Sequence, residues 1–214
     1  MLEYPKIETL YNRDEKFKVI VGQWRVPEFE YLADNKWIVT EKVDGTNIRV
    51  YWDGQAVVFG GKTDNAQIPP FLLKKLQELF PITKFDSVPD FVGKEICLYG
   101  EGYGARIQKG GGNYISNDVD FILFDVMVFK WWLKFPDVQD IAVKMGIRSV
   151  PVLGESNLSD ITTFVKNGFT SQWGNFPAEG VVVRPKVDLV SRMGHRIIGK
   201  LKTKDFTESS NGRI

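Results

Sequence analysis

The chain contains 214 residues, of which 43% are hydrophobic and 26% are charged. A chain of this length and balance can bury a core without disulfides or metals, and its composition excludes a disordered tail. Its formal net charge is only +1, so binding to nucleic acid would require a local concentration of cations.

Cysteine and histidine each occur once, as Cys97 and His195. A single cysteine forms no internal disulfide, and a single histidine argues against zinc sites and Ser-His-Asp triads. No apolar run is long enough to span a bilayer, which favours a cytoplasmic protein. The absence of internal repeats and linker-like segments predicts one domain over residues 1–214.

The predicted elements are mostly strands. Trp37–Glu41 is the first, and Asn47–Trp52 with Gln55–Phe59 predicts a hairpin whose two-residue turn, Asp53-Gly54, has positive φ angles. Further apolar segments predict strands at Glu95–Gly100, Phe121–Phe129, Ser149–Leu153, Gly180–Arg184 and Arg196–Lys202.

Three segments predict helices. Pro70–Phe80 begins after prolines and carries leucines on one side, while Pro136–Met145 and Leu158–Asn167 each end at a glycine. Few helices among many strands predict an α+β fold of mostly antiparallel sheets with helices on the outside.

The segment Glu41-Lys42-Val43-Asp44-Gly45-Thr46-Asn47 places a lysine at the end of an apolar strand. A lysine fixed there, beside backbone amides and a carboxylate, is well placed to act as a nucleophile. The alternative interpretation is an exposed lysine at a turn, and one Lys-x-Asp-Gly match is a weak signal.

Four later segments share one property: each puts a polar residue at the end, or on one face, of an apolar strand. They are Leu98–Gly104 with Glu101, Phe121–Val126 with Phe124 and Asp125, Ala178–Arg184 with Glu179, and Ile197–Lys204 with Lys200 and Lys202. The last lies in a cation-rich stretch, 181–214, for which a solvated basic tail is the alternative.

These five segments, in this order, resemble the covalent nucleotidyltransferase superfamily of DNA ligases, RNA ligases and mRNA capping enzymes. The resemblance runs from about Trp37 to Phe206. It implies an adenylyltransferase domain of mostly antiparallel sheets with a nucleotide groove between them. Because only ten residues follow Lys204, we expect no C-terminal OB domain.

Within the superfamily, the chain resembles the phage-type RNA ligase 2-like branch. Gly45-Thr46-Asn47 matches its signature, whereas DNA ligases and capping enzymes usually have arginine where Asn47 stands. The runs Gly61–Ala66 and Ile107–Tyr114 also look like loops of this branch. Asp44 departs from members that carry histidine there.

The resemblance implies that Lys42 forms a covalent bond with AMP, with Lys200 and Lys202 as further catalytic residues that bind the phosphates. Since residues two apart in a strand face the same way, Lys204 extends this row if the strand continues. Asp44, Glu101 and Glu179 would hold Mg²⁺ or Mn²⁺ through its water shell. Surface salt bridges are the alternative for these side chains.

The resemblance also implies residues that bind the nucleotide or the RNA. The residue matching Glu101 contacts the ribose in relatives, Glu41 would recognise adenine, and Phe124 would stack on the purine, although core packing is a rival for Phe124. The remaining residues are Asn47 and Lys62 on the nucleotide, and Gln108, Lys109 and Lys204 on the RNA side.

The function implied is an ATP-dependent RNA ligase that joins 3′-hydroxyl and 5′-phosphate RNA ends in a phage or microbial cytoplasm, as a monomer. RNA binding through phosphates would weaken as salt rises. The alternatives are a minimal ATP-dependent DNA ligase, a capping enzyme, and a non-catalytic module that binds nucleotide or RNA.

Overall fold

The computed structural model describes residues 2–206, which form two compact units. The first unit comprises residues 2–5 and 44–150, and the second comprises residues 6–43 and 151–206. The chain therefore passes from the second unit to the first between Val43 and Asp44, and returns between Val150 and Pro151. Glu208 and Arg213 of the basic C-terminal stretch lie outside the described residues.

The second unit is built on a five-stranded sheet and a separate pair of strands. Its strands are β1 (Glu8–Thr9), β2 (Tyr11–Arg13), β3 (Val19–Trp24), β4 (Trp37–Glu41), β11 (Val152–Ser156), β12 (Gly180–Pro185) and β13 (Gly199–Lys202). The order in the sheet is β1-β13-β12-β4-β11, and β2 pairs with β3. Its helices are α1 (Pro27–Tyr31) and α5 (Leu158–Asn167), and Asn157 caps α5 by accepting a hydrogen bond from the Asp160 amide.

The core of this unit lies between the sheet and α5. Trp37 and Val39 of β4 pack there with Val181 of β12 and Leu158 and Val165 of α5. These side chains are removed from water almost completely, and such burial is the main favourable term that holds the sheet against the helix.

The first unit is built on a six-stranded sheet. Its strands are β5 (Thr46–Trp52), β6 (Val57–Gly60), β7 (Ile96–Gly104), β8 (Val119–Val128), β9 (Trp131–Trp132) and β10 (Arg148–Ser149). The order in the sheet is β10-β8-β7-β5-β6, with β9 paired to β8. Its helices are α2 (Pro70–Leu79), α3 (Ile82–Asp86) and α4 (Phe135–Lys144), and their apolar sides contribute to one core with the sheet.

Strand pairing in the described residues confirms the predicted α+β fold with mostly antiparallel sheets. The parallel pairs are β1 with β13 and β10 with β8, and the other pairs are antiparallel. The predicted helices at Pro70, Pro136 and Leu158 are present within one residue of their predicted bounds.

Two predicted local details are wrong, and a third was conditional on a strand that does not continue. The turn at Asp53-Gly54 is longer than two residues, since β5 ends at Trp52 and β6 begins only at Val57. Asp53 Oδ1 accepts hydrogen bonds from the Gln55 and Ala56 amides within this turn. Of the two predicted turn residues, only Gly54 has a positive φ, 96°. The predicted strand Ser149–Leu153 divides into β10 and β11, which belong to different sheets. The row of lysines stops at Lys202, since Lys204 lies in a 3₁₀ turn, Thr203–Asp205.

Several elements near the N-terminus had no clear signal in the sequence. The strands β1 to β3 and the short helix α1 pair or pack with segments far along the chain, for example β1 with β13. As for membrane insertion, no helix within residues 2–206 combines the length and the apolar character that a membrane span requires.

Candidate active site

Lys42 follows directly after β4 in the second unit. The strand is held on both sides, by β12 and by β11, so its end is fixed in position. Hydrogen bonding continues past the strand, because the Lys42 amide donates to the Gly180 carbonyl at 2.9 Å. The sequence therefore presents this amine from rigid backbone, as its strand pattern predicted.

The carboxylate of Glu179 lies between two lysines. Lys42 Nζ is 2.7 Å from Glu179 Oε2, and Lys202 Nζ is 2.5 Å from Glu179 Oε1. The side chains of both lysines are 21% exposed and that of Glu179 is 11% exposed, so water screens these contacts only partly. One acid is thus shared by two cations.

A close backbone contact at Gly180 and one backbone hydrogen bond bring Glu179 to this position. Gly180 is paired with Lys202 across β12 and β13, and a Cβ on Gly180 would lie 2.1 Å from the Leu201 carbonyl oxygen. Only glycine permits so close an approach. The Thr203 amide then donates to the Glu179 carbonyl at 2.9 Å, which fixes the backbone that carries the carboxylate.

Lys200 lies two residues before Lys202 on β13, so the two side chains face the same way. Partial burial lowers the pKa of Lys200, and the neighbouring cations Lys42, Lys202 and Arg13 lower it further. The structure therefore brings Lys42, Glu179, Lys200 and Lys202 together in the second unit.

In the first unit, Asn47 and Glu101 are direct cross-strand partners on β5 and β7. Such partners project from the same face of a sheet. The turn before β5 approaches β7 closely, since a Cβ on Gly45 would lie 2.3 Å from the Gly102 carbonyl oxygen and 2.7 Å from Glu101 Cγ. The Gly in the Asp44-Gly45 pair is therefore required by this contact.

The loop at residues 107–114 packs back onto that turn. Gln108 Nε2 donates to the Gly45 carbonyl at 3.0 Å, and the Asp44 amide donates to the Tyr114 hydroxyl at 3.1 Å. Gly111 makes the return possible, because a Cβ there would lie 1.9 Å from the Gly104 carbonyl oxygen. Gln108 therefore fixes the turn at Gly45. Contacts of Gln108 and of the exposed Lys109 with RNA stay predictions.

Lys62 is exposed on the loop after β6. A fully buried arginine that sequence reasoning missed, Arg49 of β5, holds this loop: its Nε donates to the Gly61 carbonyl at 2.7 Å, and its Nη2 lies 2.9 Å from Asp64 Oδ1. Its position between Ile48 and Val50 in an apolar strand was the available signal.

Phe124 is partly buried in an aromatic cluster of the first unit. Its ring centroid lies 5.0 Å from that of Tyr4 in an edge-on arrangement, and the Tyr4 hydroxyl donates to Asp125 Oδ2 at 2.7 Å. Phe121 belongs to the main core instead. Stacking of Phe124 on a purine stays a prediction, and Tyr4 is a neighbour that the sequence did not reveal.

Glu41 is 1% exposed and its two oxygens hold a loop of the second unit. Ser171 Oγ donates to Glu41 Oε1 at 2.6 Å, and the Gln172 amide donates to Oε2 at 2.8 Å. This arrangement makes Glu41 a positioning residue for residues 171–172, while recognition of adenine by Glu41 stays a prediction.

A divalent metal such as Mg²⁺ needs a group of oxygen ligands. Within residues 2–206, no three acidic, histidine or cysteine side chains are grouped as a ready-made metal site. Oxygen ligands of the first unit nevertheless suit Mg²⁺ or Mn²⁺. Asn47 Oδ1 is buried and accepts no hydrogen bond from the described part of the chain, and Asn47 is the cross-strand partner of Glu101. Glu179 already binds two lysines.

Comparisons with known proteins identify the family and the fold of the chain. The family model described as RNA ligase matches residues 35–202, and no curated protein matched the chain. A mutant Naegleria gruberi RNA ligase with ATP and Mn has 19% identity and a TM-score of 0.66, covering 95% of this chain and 62% of that one.

Two further structures show the same fold. Naegleria gruberi RNA ligase with PPi has 20% identity and a TM-score of 0.65, covering 98% of this chain and 64% of that one. An Aquifex aeolicus protein assigned as an ATP-dependent DNA ligase has 21% identity and a TM-score of 0.64, covering 96% and 51%. The chain thus spans less than two thirds of the length of these structures.

Proposed function

The chain belongs to the RNA ligase family, and from that premise we propose that it is an ATP-dependent RNA ligase. It would charge Lys42 with AMP and use this AMP to join a 3′-hydroxyl RNA end to a 5′-phosphate RNA end. The observation that carries the proposal is the partly buried amine of Lys42, fixed at a strand end beside Glu179, Lys200 and Lys202.

In the first step, Lys42 Nζ forms a bond with the α-phosphorus of ATP and loses a proton. The bond from that phosphorus to the bridging oxygen breaks, and pyrophosphate leaves with the electron pair. Glu179 Oε2, at 2.7 Å, accepts the hydrogen bond of Nζ and orients it. The cations of Lys200 and Lys202 stabilise negative charge that develops on the phosphate oxygens.

In the second step, an oxygen of the RNA 5′-phosphate attacks the same phosphorus, and Lys42 Nζ leaves and regains a proton. In the third step, the 3′-hydroxyl oxygen bonds to the activated 5′-phosphorus and gives up its proton to water. The bond from that phosphorus to the oxygen of AMP breaks, and AMP leaves with the electron pair. A 5′-phosphate alone is a poor electrophile because its leaving group is poor, so the AMP supplies a good one.

We propose Asp44 and Glu101 as ligands of a divalent metal held through water, and the assignment of Glu179 as a metal ligand stays a prediction. Such an ion supplies charge stabilisation on phosphate oxygens. The buried Oδ1 of Asn47, next to Glu101, supports an oxygen-rich environment there. Lys62 and Phe124 are our proposed nucleotide contacts, and Gln108, Lys109 and Lys204 our proposed RNA contacts.

The test is to incubate the protein with ATP and Mg²⁺ and to measure its mass. We expect a gain of one AMP in the wild type and none in Lys42→Ala. Lys16→Ala changes an exposed lysine of the same unit and serves as the control. A wild-type protein that gains no mass with fresh ATP, under conditions in which it is folded, would leave the non-catalytic binding module as the better interpretation.

A minimal DNA ligase is the second candidate, favoured by the fold shared with the Aquifex aeolicus protein. Rates of sealing of matched RNA, DNA and mixed RNA–DNA ends distinguish an RNA ligase from a DNA ligase. RNA at the 3′-hydroxyl side should be joined faster than DNA, and equal or faster joining of DNA would contradict our proposal. The monomeric state, the cytoplasmic location and the single domain over residues 1–214 stay predictions.

A further inference from the structure

A cavity of about 530 Å³ in the second unit lies between β13 and the N-terminal strands β1 and β2. Six of its lining residues are lysine or arginine, and two, Glu8 and Asp14, are acidic. This volume is within the range of ordinary ligand pockets. The composition of the lining indicates an anionic ligand with more than one negative charge.

Some of these cations are neutralised within the protein. Lys6 Nζ and Arg25 Nε both lie near Glu8, at 2.8 and 3.4 Å, and Lys202 is paired with Glu179. Lys200 is different, because it makes no ion pair with any residue of the described chain. Its pKa is lowered by burial and by Lys42, Lys202 and Arg13, so an added anion would be favourable there.

Arg13 lies on the side of this cavity formed by the N-terminal strands. Its Nη2 is 2.8 Å from Asp205 Oδ1, and Asp205 Oδ2 accepts a hydrogen bond from the Lys202 amide at 3.0 Å. Asp205 is 2% exposed, so this buried carboxylate fixes Arg13 against the end of β13. A guanidinium has five N–H donors, and the hydrogen bond to Asp205 uses only part of them.

Resting on the proposed ATP chemistry, we propose that this cavity binds the pyrophosphate portion of ATP, with Arg13 as a phosphate-binding residue supplied by the N-terminal strands. The leaving group of a phosphoryl-type transfer lies roughly in line with, and opposite to, the nucleophile. Lys200 and Lys202 line the cavity but Lys42 does not, as this arrangement requires. Arginine is suited to bidentate binding of phosphate oxygens.

The experiment measures the adenylylation of Lys42 in both directions, and it measures the sealing step separately. The forward direction is AMP transfer from ATP to Lys42, and the reverse is formation of ATP from the adenylylated protein and inorganic pyrophosphate. Sealing of RNA that already carries a 5′-adenylate requires no pyrophosphate, so it reports on the RNA side alone. The variants are Arg13→Gln and Arg13→Lys, with Lys16→Gln as an exposed control on the same hairpin that lies outside the cavity lining.

Loss of one charge-assisted contact to phosphate predicts that Arg13→Gln raises the pyrophosphate concentration for half-maximal ATP formation by roughly 10-fold or more. The ATP concentration for half-maximal adenylylation should rise similarly. Sealing of pre-adenylylated RNA should stay within about twofold of wild type, as should every activity of Lys16→Gln. Arg13→Lys keeps the positive charge that pairs with Asp205 but loses the paired N–H donors of the guanidinium. We therefore expect a smaller increase in the half-maximal pyrophosphate concentration, from a folded protein.

The proposal is overturned if Arg13→Gln and Arg13→Lys leave the pyrophosphate dependence unchanged, or if they slow sealing of pre-adenylylated RNA instead. The second result would assign the cavity to phosphates of RNA. Failure of the wild type to adenylylate at all would be a failure of the proposed function and is seen before any variant is compared. If Arg13→Gln unfolds by circular dichroism, the pyrophosphate dependence of Arg13→Lys decides the question.

Discussion

The Nζ atom of Lys42 lies 2.7 Å from Oε2 of Glu179, so the proposed nucleophile is held by a carboxylate. Because Lys202 binds the other oxygen of the same carboxylate, Glu179 sets the positions of two cations at once. The residues of this site are consequently coupled, and effects of their substitution should not be additive.

Glu179→Gln tests this coupling. The amide keeps the shape of the side chain but removes the charge that orients both lysines, and we expect AMP transfer to Lys42 to fall by roughly 10²-fold. The rate of mass gain with ATP measures it. Glu155→Gln is the matched control, since Glu155 is paired with Lys186 at the surface. Equal rates for Glu179→Gln and wild type would contradict a role for this carboxylate.

The lowered pKa of Lys200 makes a prediction about pH and stability. Below its folded-state pKa, Lys200 is charged in both states and the cost of placing that charge near other cations is fully present. As pH rises from the lowered pKa toward the usual value of 10.5, the folded state loses the proton first and the cost disappears. Stability from this group therefore increases with pH in that window.

Lys200→Met removes this cost at neutral pH. After allowance for solvent screening of a partly exposed group, we expect the melting temperature at pH 7 to rise by about 2 °C. The advantage over wild type should shrink as pH approaches 10.5. Differential scanning calorimetry at several pH values measures the difference in melting temperature between Lys200→Met and wild type. A difference that is constant with pH would show that packing, and not charge, is its cause.

Gly45→Ala should be harmful although alanine is small. The added Cβ would meet the Gly102 carbonyl and Glu101 Cγ, which belong to β7, and the strand cannot move without breaking its pairing with β8. We expect a loss of about 2–3 kcal/mol in the free energy of unfolding, measured by urea denaturation. Gly112→Ala has open space around the new Cβ and should be nearly neutral.

Arg49 and Lys62 should separate stability from activity. Arg49→Met leaves the Gly61 carbonyl without its donor and should lower the free energy of unfolding by about 2–4 kcal/mol. Lys62→Ala removes an exposed side chain and should change stability by less than about 0.5 kcal/mol while raising the KM for ATP. Unchanged KM in Lys62→Ala would remove this residue from the nucleotide site.

Much of the fold could be predicted because local patterns govern it. β4 ends where its apolar run ends, beside Lys42, and α5 is bounded by Asn157 and Gly168, which are ordinary start and stop signals. The ordered motifs also identified Lys42, Glu179, Lys200 and Lys202, which the structure brings together.

Other features depend on partners that are distant in sequence. Asp205 forms an ion pair with Arg13, which is 192 residues away in the sequence. Asp205 also accepts a hydrogen bond from the Lys202 amide, within the 3₁₀ turn that takes Lys204 off the strand. Tyr4 reaches Asp125 across 121 residues. No local pattern encodes such pairs, so Arg13, Tyr4 and Asp205 were missed.

The ion pair of Lys42 with Glu179 also has a chemical consequence for the resting protein. A partly buried amine that donates a hydrogen bond to a carboxylate is less available than an exposed amine to stray electrophiles such as cyanate or activated esters. We expect peptide mapping after brief treatment with an activated ester to find the exposed Lys16 acylated well before Lys42. The same contact that positions the amine would thus keep it intact until a substrate arrives.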